Sequence, residues 1–170
     1  HWAGSSSLRT LPEANQEEAT DAVVFADCFN RYFEPDNVHA AIEVLFAGNR
    51  RAGLLAPLDG NKRPLCCGRT FLSMGLVKQA TSEAKRFVEA ALEHIERGIP
   101  IVGLEPSCIL SLREEMPELL SIQSDFKEKI FLIEEYMAGT KETDPIELDF
   151  ISLSGRKAFF HGHCHQKASG

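Results

Sequence analysis

The chain has 170 residues, of which 44% are hydrophobic and 25% charged, and this composition predicts one soluble globular domain with a sizeable core. The formal net charge of -7 at pH 7 argues against a general nucleic-acid surface, and no basic stripe interleaved with aromatic residues occurs. No apolar run approaches the roughly 20 residues that span a bilayer, and the N-terminus lacks the pattern of a signal peptide. We therefore expect a cytoplasmic protein that neither crosses the membrane nor binds nucleic acid.

Short apolar runs rich in β-branched residues predict buried strands along the chain. Residues 1–20 precede the first run, and their content of Ser, Glu, Gln and Ala predicts a linker or the tail of an upstream region. Strands are expected at residues 22–28, 52–58, 99–105, 146–153 and 157–163. The first of these ends on Cys28, and the last leads directly into Cys164.

Amphipathic segments between the strands predict helices, because apolar side chains recur there at three- and four-residue spacing. These helices are expected from a cap at Asp36 or Asn37 to Gly48, from 76 to 97, from Pro106 onward and within 124–137. Strands that alternate with helices imply crossover connections. We therefore predict an α/β fold: a mainly parallel sheet with helices on both faces, in three layers.

The chain has five cysteines, at positions 28, 66, 67, 108 and 164. An odd number of widely spaced cysteines argues against a disulfide framework. Metal binding or redox chemistry is the better expectation, although a single cysteine is often just a small buried apolar residue. Because the carboxyl ends of parallel strands meet at one edge of a sheet, Cys28, Cys108 and Cys164 are expected there, with the Cys66–Cys67 loop beside them.

Two cysteines stand side by side in the segment 64–71, PLCCGRTF. A zinc site usually contains a Cys-x-x-Cys knuckle, which this chain lacks, and a disulfide between neighbours would need a strained ring. Neighbouring side chains of extended backbone diverge, so the pair suits two metals of a polynuclear cluster better than one ion. Gly68 would let the backbone approach such a cluster. Cys108 is expected near a helix N-terminus, which favours the thiolate.

Three motifs follow one another in the chain: LCCGRTFLSMGL at 65–76, GLEPSC at 103–108 and HGHCHQKA at 161–168. Together they resemble the cysteine-rich CCG domain. That domain occurs in heterodisulfide reductase, in the iron–sulfur subunits of anaerobic glycerol-3-phosphate dehydrogenase and glycolate oxidase, and in FAD-linked D-lactate dehydrogenase-type oxidoreductases. The similarity covers about residues 22–170 and is greatest to the last group, the fused FAD-linked oxidase and iron–sulfur proteins.

The resemblance implies a first CCG unit over residues 21–157 that binds an iron–sulfur cluster, expected to be a 4Fe–4S cluster. Its ligands would be Cys28, Cys66, Cys67 and Cys108, with Gly68 beside the cluster. Cys164 is a further metal-ligand candidate, and it matches the opening cysteine of a second unit over 158–170, so the chain would be a fragment of a two-unit domain. A faint internal echo agrees: VVFADCFNRY surrounds Cys28, and AFFHGHCHQK surrounds Cys164.

The chain departs from the family pattern at Glu105, which stands where the fullest form has a further cysteine, and the second unit lacks its own Cys-Cys-Gly. We interpret Glu105 as a cap of the following helix, with an oxygen ligand as the alternative. Weaker metal-ligand candidates are three alternating histidines, His161, His163 and His165. On an extended strand they would face away from Cys164, and a frayed strand is the alternative.

These observations predict an electron-transfer domain that receives electrons from a flavin through ferredoxin-type clusters of the parent protein and passes them to an acceptor such as a quinone. By resemblance, the parent oxidises a small 2-hydroxy acid such as lactate or glycolate, at a site that lies in the cytoplasm or at the inner face of the membrane. FAD is expected in the parent only, because no Gly-x-Gly-x-x-Gly follows a strand here. Alternatives are a metal-free thiol–disulfide module of the heterodisulfide type and a zinc-stabilised interaction domain.

Overall fold

The computed structural model of the chain describes residues 8, 11, 13–14, 20–60, 63–122, 124–141 and 143–169. The tail predicted at 1–20 lies largely outside these residues. The strands of the described part are β1 (Ala22–Phe25), β2 (Ala52–Leu54), β3 (Ile101–Gly103) and β4 (Ile130–Leu132). They form one parallel sheet in the order β2-β1-β3-β4. The predicted α/β fold with a parallel sheet is confirmed.

Helices connect the strands and cover the sheet. In the described part of the chain they are α1 (Cys28–Tyr32), α2 (Pro35–Ala47), α3 (Arg69–Ser73), α4 (Val77–Glu96), α5 (Pro106–Arg113), α6 (Glu115–Leu120), a 3-10 helix (Ser124–Lys129), α7 (Ile133–Met137) and α8 (Cys164–Ser169). The predictions for α4 and for the start of α5 are confirmed. Helix α2 begins before its predicted cap, because Pro35 occupies its first turn, where proline's fixed φ suits a helix. None of the described helices is long and apolar enough to cross a membrane.

The sheet has an apolar core on each face. Val24 belongs to a cluster formed with α2 and α7, which includes Val38, Ile42, Leu45 and Tyr136. Its neighbour Val23 belongs to the opposite cluster, where α4 and α5 supply Ala84, Phe87, Ile109 and Leu112. Successive strand residues point to opposite faces, so a sheet covered on both sides needs continuous apolar strands. This is why β1 shows an unbroken apolar run and no alternation.

The order of the strands opens a crevice beside β1. The chain places β2 on one side of β1 and then crosses over to place β3 on the other side. At such a switch point the connections leave the carboxyl ends of adjacent strands in opposite directions, and open α/β sheets bind their ligands there. The segments that follow β1 and β3 contain Cys28 and Cys108.

The strands predicted at 146–153 and 157–163 are wrong. Within the described residues neither segment pairs with the sheet, and Phe159 and Phe160 are 97% and 95% exposed. Apolar periodicity identifies a chain segment that suits a strand, but a strand forms only where a partner offers hydrogen bonds. Cys164 therefore begins α8 and does not close a strand.

The sequence predicts a helix within 124–137, which α7 confirms, but it does not predict strand β4 in the same segment. The structure divides that segment into the 3-10 helix, β4 and α7. Ile130 lies in register with Ile101, and Leu132 with Gly103. Pairing with β3 is a tertiary interaction, and it overrides the local helical pattern.

Candidate cysteine site

Four of the five cysteines come together at the carboxyl edge of the sheet. Cys28 is the first residue of α1, just after β1, and Cys108 lies in the first turn of α5, after β3. Cys66 and Cys67 lie in the loop between β2 and α3. Since β1 is hydrogen-bonded to both β2 and β3, the three segments leave neighbouring strand ends. The structure thus brings together residues that are up to 80 positions apart in the chain (28 and 108).

The four cysteines line one cavity of about 320 Å³. Its other lining residues are Asp27, Phe29, Arg69, Thr70, Glu105 and Ser107. Of these residues, only Glu105 was a candidate from the sequence. They adjoin the cysteines in the chain and reach the cavity because strand ends and first helical turns converge there.

The sulfur atoms of the site contact one another and the loop backbone. Cys67 Sγ lies 2.9 Å from Cys108 Sγ, at hydrogen-bond distance. The backbone N–H of Gly68 donates to Cys66 Sγ at 3.5 Å. The thiol of Cys28 points to the carbonyl of Leu65 at 4.0 Å. All five cysteines are free thiols.

Hydrogen bonding shifts the pKa of Cys66 in the opposite direction to that of Cys28 and Cys67. Side-chain interactions with Cys28 and then Cys67, together with the Gly68 amide, lower the pKa of Cys66. The same arrangement raises the pKa of Cys28, first through its hydrogen bond to Cys66 and then through burial. The pKa of Cys67 is raised by its hydrogen bonds to Cys108 and Cys66 and by burial. A thiolate, the form that binds metal and acts as a nucleophile, is therefore favoured at Cys66.

Asp27 positions Cys28. Its carboxylate is 1% exposed and caps α1 by accepting hydrogen bonds from the backbone amides of Phe29 and Asn30 at 2.9 and 3.1 Å. The side-chain amide of Asn30 donates to the second carboxylate oxygen at 2.6 Å. Burial raises the pKa of Asp27 in spite of these bonds. A polar residue between a buried strand and a cysteine is a cap signal that the sequence analysis did not use.

Gly68 allows the loop to approach α4. Its φ of +81° lies in the left-handed region, which residues with a Cβ adopt at a cost. A Cβ at this position would lie 2.7 Å from the carbonyl oxygen of Ala80. The close approach found here is thus to α4, whereas a cluster was expected against this glycine from the sequence.

Glu105 caps α5, as the favoured interpretation of the sequence predicts. Its Oε1 accepts hydrogen bonds from the backbone N–H of Ser107 at 3.3 Å and from the Ser107 hydroxyl at 2.7 Å. The same oxygen lies 3.7 Å from Nε2 of His163. Glu105 also lines the cysteine cavity, so the alternative role as an oxygen ligand requires a direct test.

Replacing Glu105 separates these two roles. Glu105→Ala removes the cap, and we expect the free energy of unfolding to fall by about 1 kcal/mol. Glu105→Gln keeps an acceptor oxygen and is expected to lose less than about 0.5 kcal/mol and to retain whatever metal the wild type binds. Urea unfolding and metal analysis measure the two effects. Loss of metal from the glutamine variant with unchanged stability would show that Glu105 is a ligand.

The C-terminal candidates lie beside the site but do not line the cavity. Cys164 is exposed, and the ring of His163 stacks on that of His165 with centroids 5.5 Å apart. His163 reaches the cavity only indirectly, through Glu105, and His161 is exposed. Because Cys164 begins α8, the strand alternation from which opposite faces were predicted for the histidines and Cys164 does not extend to Cys164. Their assignment as metal ligands stays a prediction.

The donors of the cavity fit a thiolate-bound group by their chemistry. Among the described residues, no three or more His, Cys, Asp or Glu side chains are arranged to hold a metal ion. The sulfurs instead contact one another as hydrogen-bonded thiols. Nevertheless, four thiols line one cavity, and Cys66 favours the thiolate, which is the donor that iron–sulfur clusters use.

Comparisons with known proteins point to dehydrogenases. The chain is 27% identical over 161 residues to one subunit of the anaerobic glycerol-3-phosphate dehydrogenase of Escherichia coli, a match that covers 92% of this chain and 38% of that protein. It is 24% identical over 166 residues to D-2-hydroxyglutarate dehydrogenase of E. coli, covering 96% of this chain and 15% of that protein. With the Pseudomonas putida D-2-hydroxyglutarate dehydrogenase it shares 31% identity over 117 residues, which are 69% of this chain and 11% of that protein.

The chain thus spans well under half the length of these relatives. No protein-family model matches it, and no solved structure matches it significantly. The relatives nevertheless agree with the group named from the three sequence motifs. The chain is related to anaerobic glycerol-3-phosphate dehydrogenase, through one subunit of that enzyme, and to D-2-hydroxyglutarate dehydrogenase, which confirms its resemblance to the FAD-linked oxidase and iron–sulfur oxidoreductases.

Proposed function

We propose that this chain is an electron-transfer region of a larger dehydrogenase and that Cys28, Cys66, Cys67 and Cys108 bind an iron–sulfur cluster there. The observation that carries the proposal is the convergence of these four thiols on one cavity from three neighbouring strand ends. Four thiolates are the usual ligand set of a 2Fe–2S or a 4Fe–4S cluster. The similarity to two dehydrogenases supports the redox role.

The protein would supply placement and electrostatics, while a bound cluster supplies a one-electron carrier. The amide of Gly68 donates to the sulfur of Cys66, and hydrogen bonds to sulfur are one means by which a protein adjusts a cluster's potential. Arg69 lines the cavity and lies 3.8 Å from Glu115, so part of its charge is offset. Asp27 and Glu105 hold the first turns of α1 and α5 and thereby fix Cys28 and Cys108.

An aromatic surface beside the cavity would serve the electron donor or acceptor. Phe29 lines the cavity, and its ring stacks on Phe33 with centroids 5.5 Å apart. Both side chains are about half exposed. Exposed aromatic rings next to a redox site suit a planar acceptor such as a quinone or the surface of a ferredoxin-type domain of the parent protein.

The parent reaction is proposed from the relatives alone. The names of the relatives specify glycerol-3-phosphate and D-2-hydroxyglutarate, which are small anionic molecules with a hydroxyl group. We therefore propose that the parent oxidises a small 2-hydroxy acid, such as lactate or glycolate, with FAD bound elsewhere in the parent. It would act in the cytoplasm or at the inner face of the membrane.

One observation favours a second candidate, a metal-free thiol–disulfide module. Cys67 and Cys108 have their sulfurs 2.9 Å apart, and the neighbouring Cys66 favours the thiolate. Oxidation of Cys67 and Cys108 to a disulfide would release two protons and two electrons, which a disulfide substrate could accept as it is reduced to two thiols. No comparable observation favours zinc.

Metal analysis of the full-length protein, purified without air, tests the proposal. We expect roughly four iron and four sulfide per chain, as a 4Fe–4S cluster requires, with broad visible absorption that bleaches on reduction. Colourless protein without iron, in which Cys67 and Cys108 become linked by a disulfide on oxidation, would favour the second candidate. Colourless protein with stoichiometric zinc would contradict both.

A further inference from the structure

Two charged side chains of α4, one buried and one mostly shielded from solvent, lie next to the loop that carries the cysteine pair. Glu83 and Arg86 lie one helical turn apart, with side chains only 8% and 11% exposed. Nη1 of Arg86 is 3.3 Å from Oε2 of Glu83. Charged residues are almost never buried unless they are paired, and a buried ion pair is weak evidence for stability by itself. The contacts of this pair indicate what it does.

Arg86 holds the loop at three points. Its Nε donates to the carboxylate of Asp59 at 2.6 Å. Its Nη2 donates to the backbone carbonyl of Arg63 at 2.9 Å, and its Nη1 to the backbone carbonyl of Pro64 at 3.2 Å. Two of the three acceptors belong to the main chain. Arg86 therefore fixes the backbone immediately before the cysteines, and only a planar guanidinium has donors in this forked arrangement.

Glu83 adds a further contact, an ion pair with Arg63 of the loop. Its Oε1 lies 2.7 Å from Nη2 of Arg63. Residues 63–68 lie outside helices and strands, so no ladder of backbone hydrogen bonds holds them. The contacts from α4 take the place of such a ladder on the N-terminal side of the cysteines. On the C-terminal side, Gly68 packs against Ala80 of the same helix.

We propose that Glu83 and Arg86 are positioning residues for the cysteine site. By fixing the carbonyls of residues 63 and 64, they set where Cys66 and Cys67 stand relative to Cys28, which approaches the carbonyl of Leu65. The inference rests on the proposed function only in one respect, the identity of the group that the cysteines bind. Their placement is a property of the loop and can be measured in metal-free protein.

The rate at which the cysteine pair reacts with N-ethylmaleimide tests this role. Metal-free full-length protein is labelled well below its unfolding temperature, and the peptide that contains Cys66 and Cys67 is followed by mass spectrometry. We expect Arg86→Gln to increase the labelling rate roughly tenfold, because the loop opens more often without its contacts. Arg86→Lys keeps the charge but loses the fork, so an intermediate rate is expected.

Two control variants separate positioning from general destabilisation. Lys85→Gln removes an exposed ion pair with Glu89 on the same helix and should leave the rate unchanged. Leu45→Ala destabilises the core on the opposite face of the sheet. If that variant accelerates labelling of the pair as much as Arg86→Gln does, at equal loss of stability in urea, the positioning role is refuted.

A second variant keeps the test decisive if Arg86→Gln does not fold. Asp59→Asn weakens one of the three loop contacts and leaves the buried ion pair in place, and we expect it to accelerate labelling about threefold. Rates equal to that of Lys85→Gln would overturn the inference. In iron-loaded protein, a shifted reduction potential in Arg86→Lys is the expected second result. Protein that binds no iron would contradict the proposed function while leaving the labelling result intact.

Discussion

Replacing Cys66 by serine is expected to lower the iron content of the anaerobically purified full-length protein more than tenfold and to abolish electron transfer through this region. A serine hydroxyl stays protonated where a cysteine is a thiolate, and Cys66 is the thiol whose pKa its neighbours lower. Even the loss of residues that only support ligands costs roughly 10- to 100-fold in metal affinity, so the loss of a ligand should cost at least as much. Cys28→Ser, Cys67→Ser and Cys108→Ser should behave alike.

Cys164→Ser is the matched control for these variants. Its side chain is exposed and does not line the cavity, so the variant should keep its iron and its visible absorption. Circular dichroism must show that all five variants are folded. If Cys66→Ser and Cys108→Ser both retain full iron content, the four-cysteine assignment is wrong, and if Cys164→Ser loses iron, the C-terminal helix α8 contributes a ligand.

Gly68→Ala is expected to lower the free energy of unfolding of the metal-free protein by about 3 kcal/mol or more. Two costs add up: alanine disfavours the left-handed backbone conformation, and its Cβ collides with packed backbone. The φ of Gly68 is +81°, and a Cβ would lie 2.7 Å from the carbonyl oxygen of Ala80. The helix backbone cannot yield as a flexible side chain would. The loop must therefore move away from α4, which also displaces Cys66 and Cys67 from the cavity.

Gly75→Ala separates the cost of the left-handed backbone from the cost of the contact with Ala80. Gly75 has a φ of +75°, but a Cβ there would meet nothing within 4 Å. Its substitution should lower the free energy of unfolding only by the cost of placing alanine in a left-handed conformation, about 1–2 kcal/mol. Urea unfolding with equal m-values measures both variants. Equal losses of unfolding free energy at the two positions would mean that the contact with Ala80 does not contribute to the effect of Gly68→Ala.

The fold could be predicted where the local pattern and the tertiary environment agree. The helix α4 combines an apolar face with charges opposite, and it runs over Val77–Glu96, close to its predicted limits. The predictions failed where pairing decides the outcome. Residues 130–132 are extended because β3 offers them hydrogen bonds, and residues 146–163 are not strands because no described strand does so.

The cysteines of the candidate site could be predicted from the sequence, but most of the residues around them could not. Adjacent cysteines, and cysteines just after two predicted strands, indicate a shared site because parallel strands end at one edge. Glu83 and Arg86 carry no such signal, because the loop groups that they contact lie at least 20 positions away in the chain. Asp27 differs from them, since its cap contacts are local and follow a pattern that the sequence does contain. Hydrogen-bond partners distant in the chain cannot be read from spacing.

The parallel α/β fold, the principal cysteines and the cap role of Glu105 could be inferred from the residues alone, because each depends on residues close together in the chain or on the fixed rules of strand connection. Three further points depend on tertiary contacts: the pKa of Cys66 is lowered, Cys164 lies outside the cavity, and α4 contacts the cysteine loop on both sides of the cysteine pair. All three points have one cause. A pKa, a cavity wall and a backbone contact are set by the atoms that folding brings together, and these belong to residues far apart in the chain.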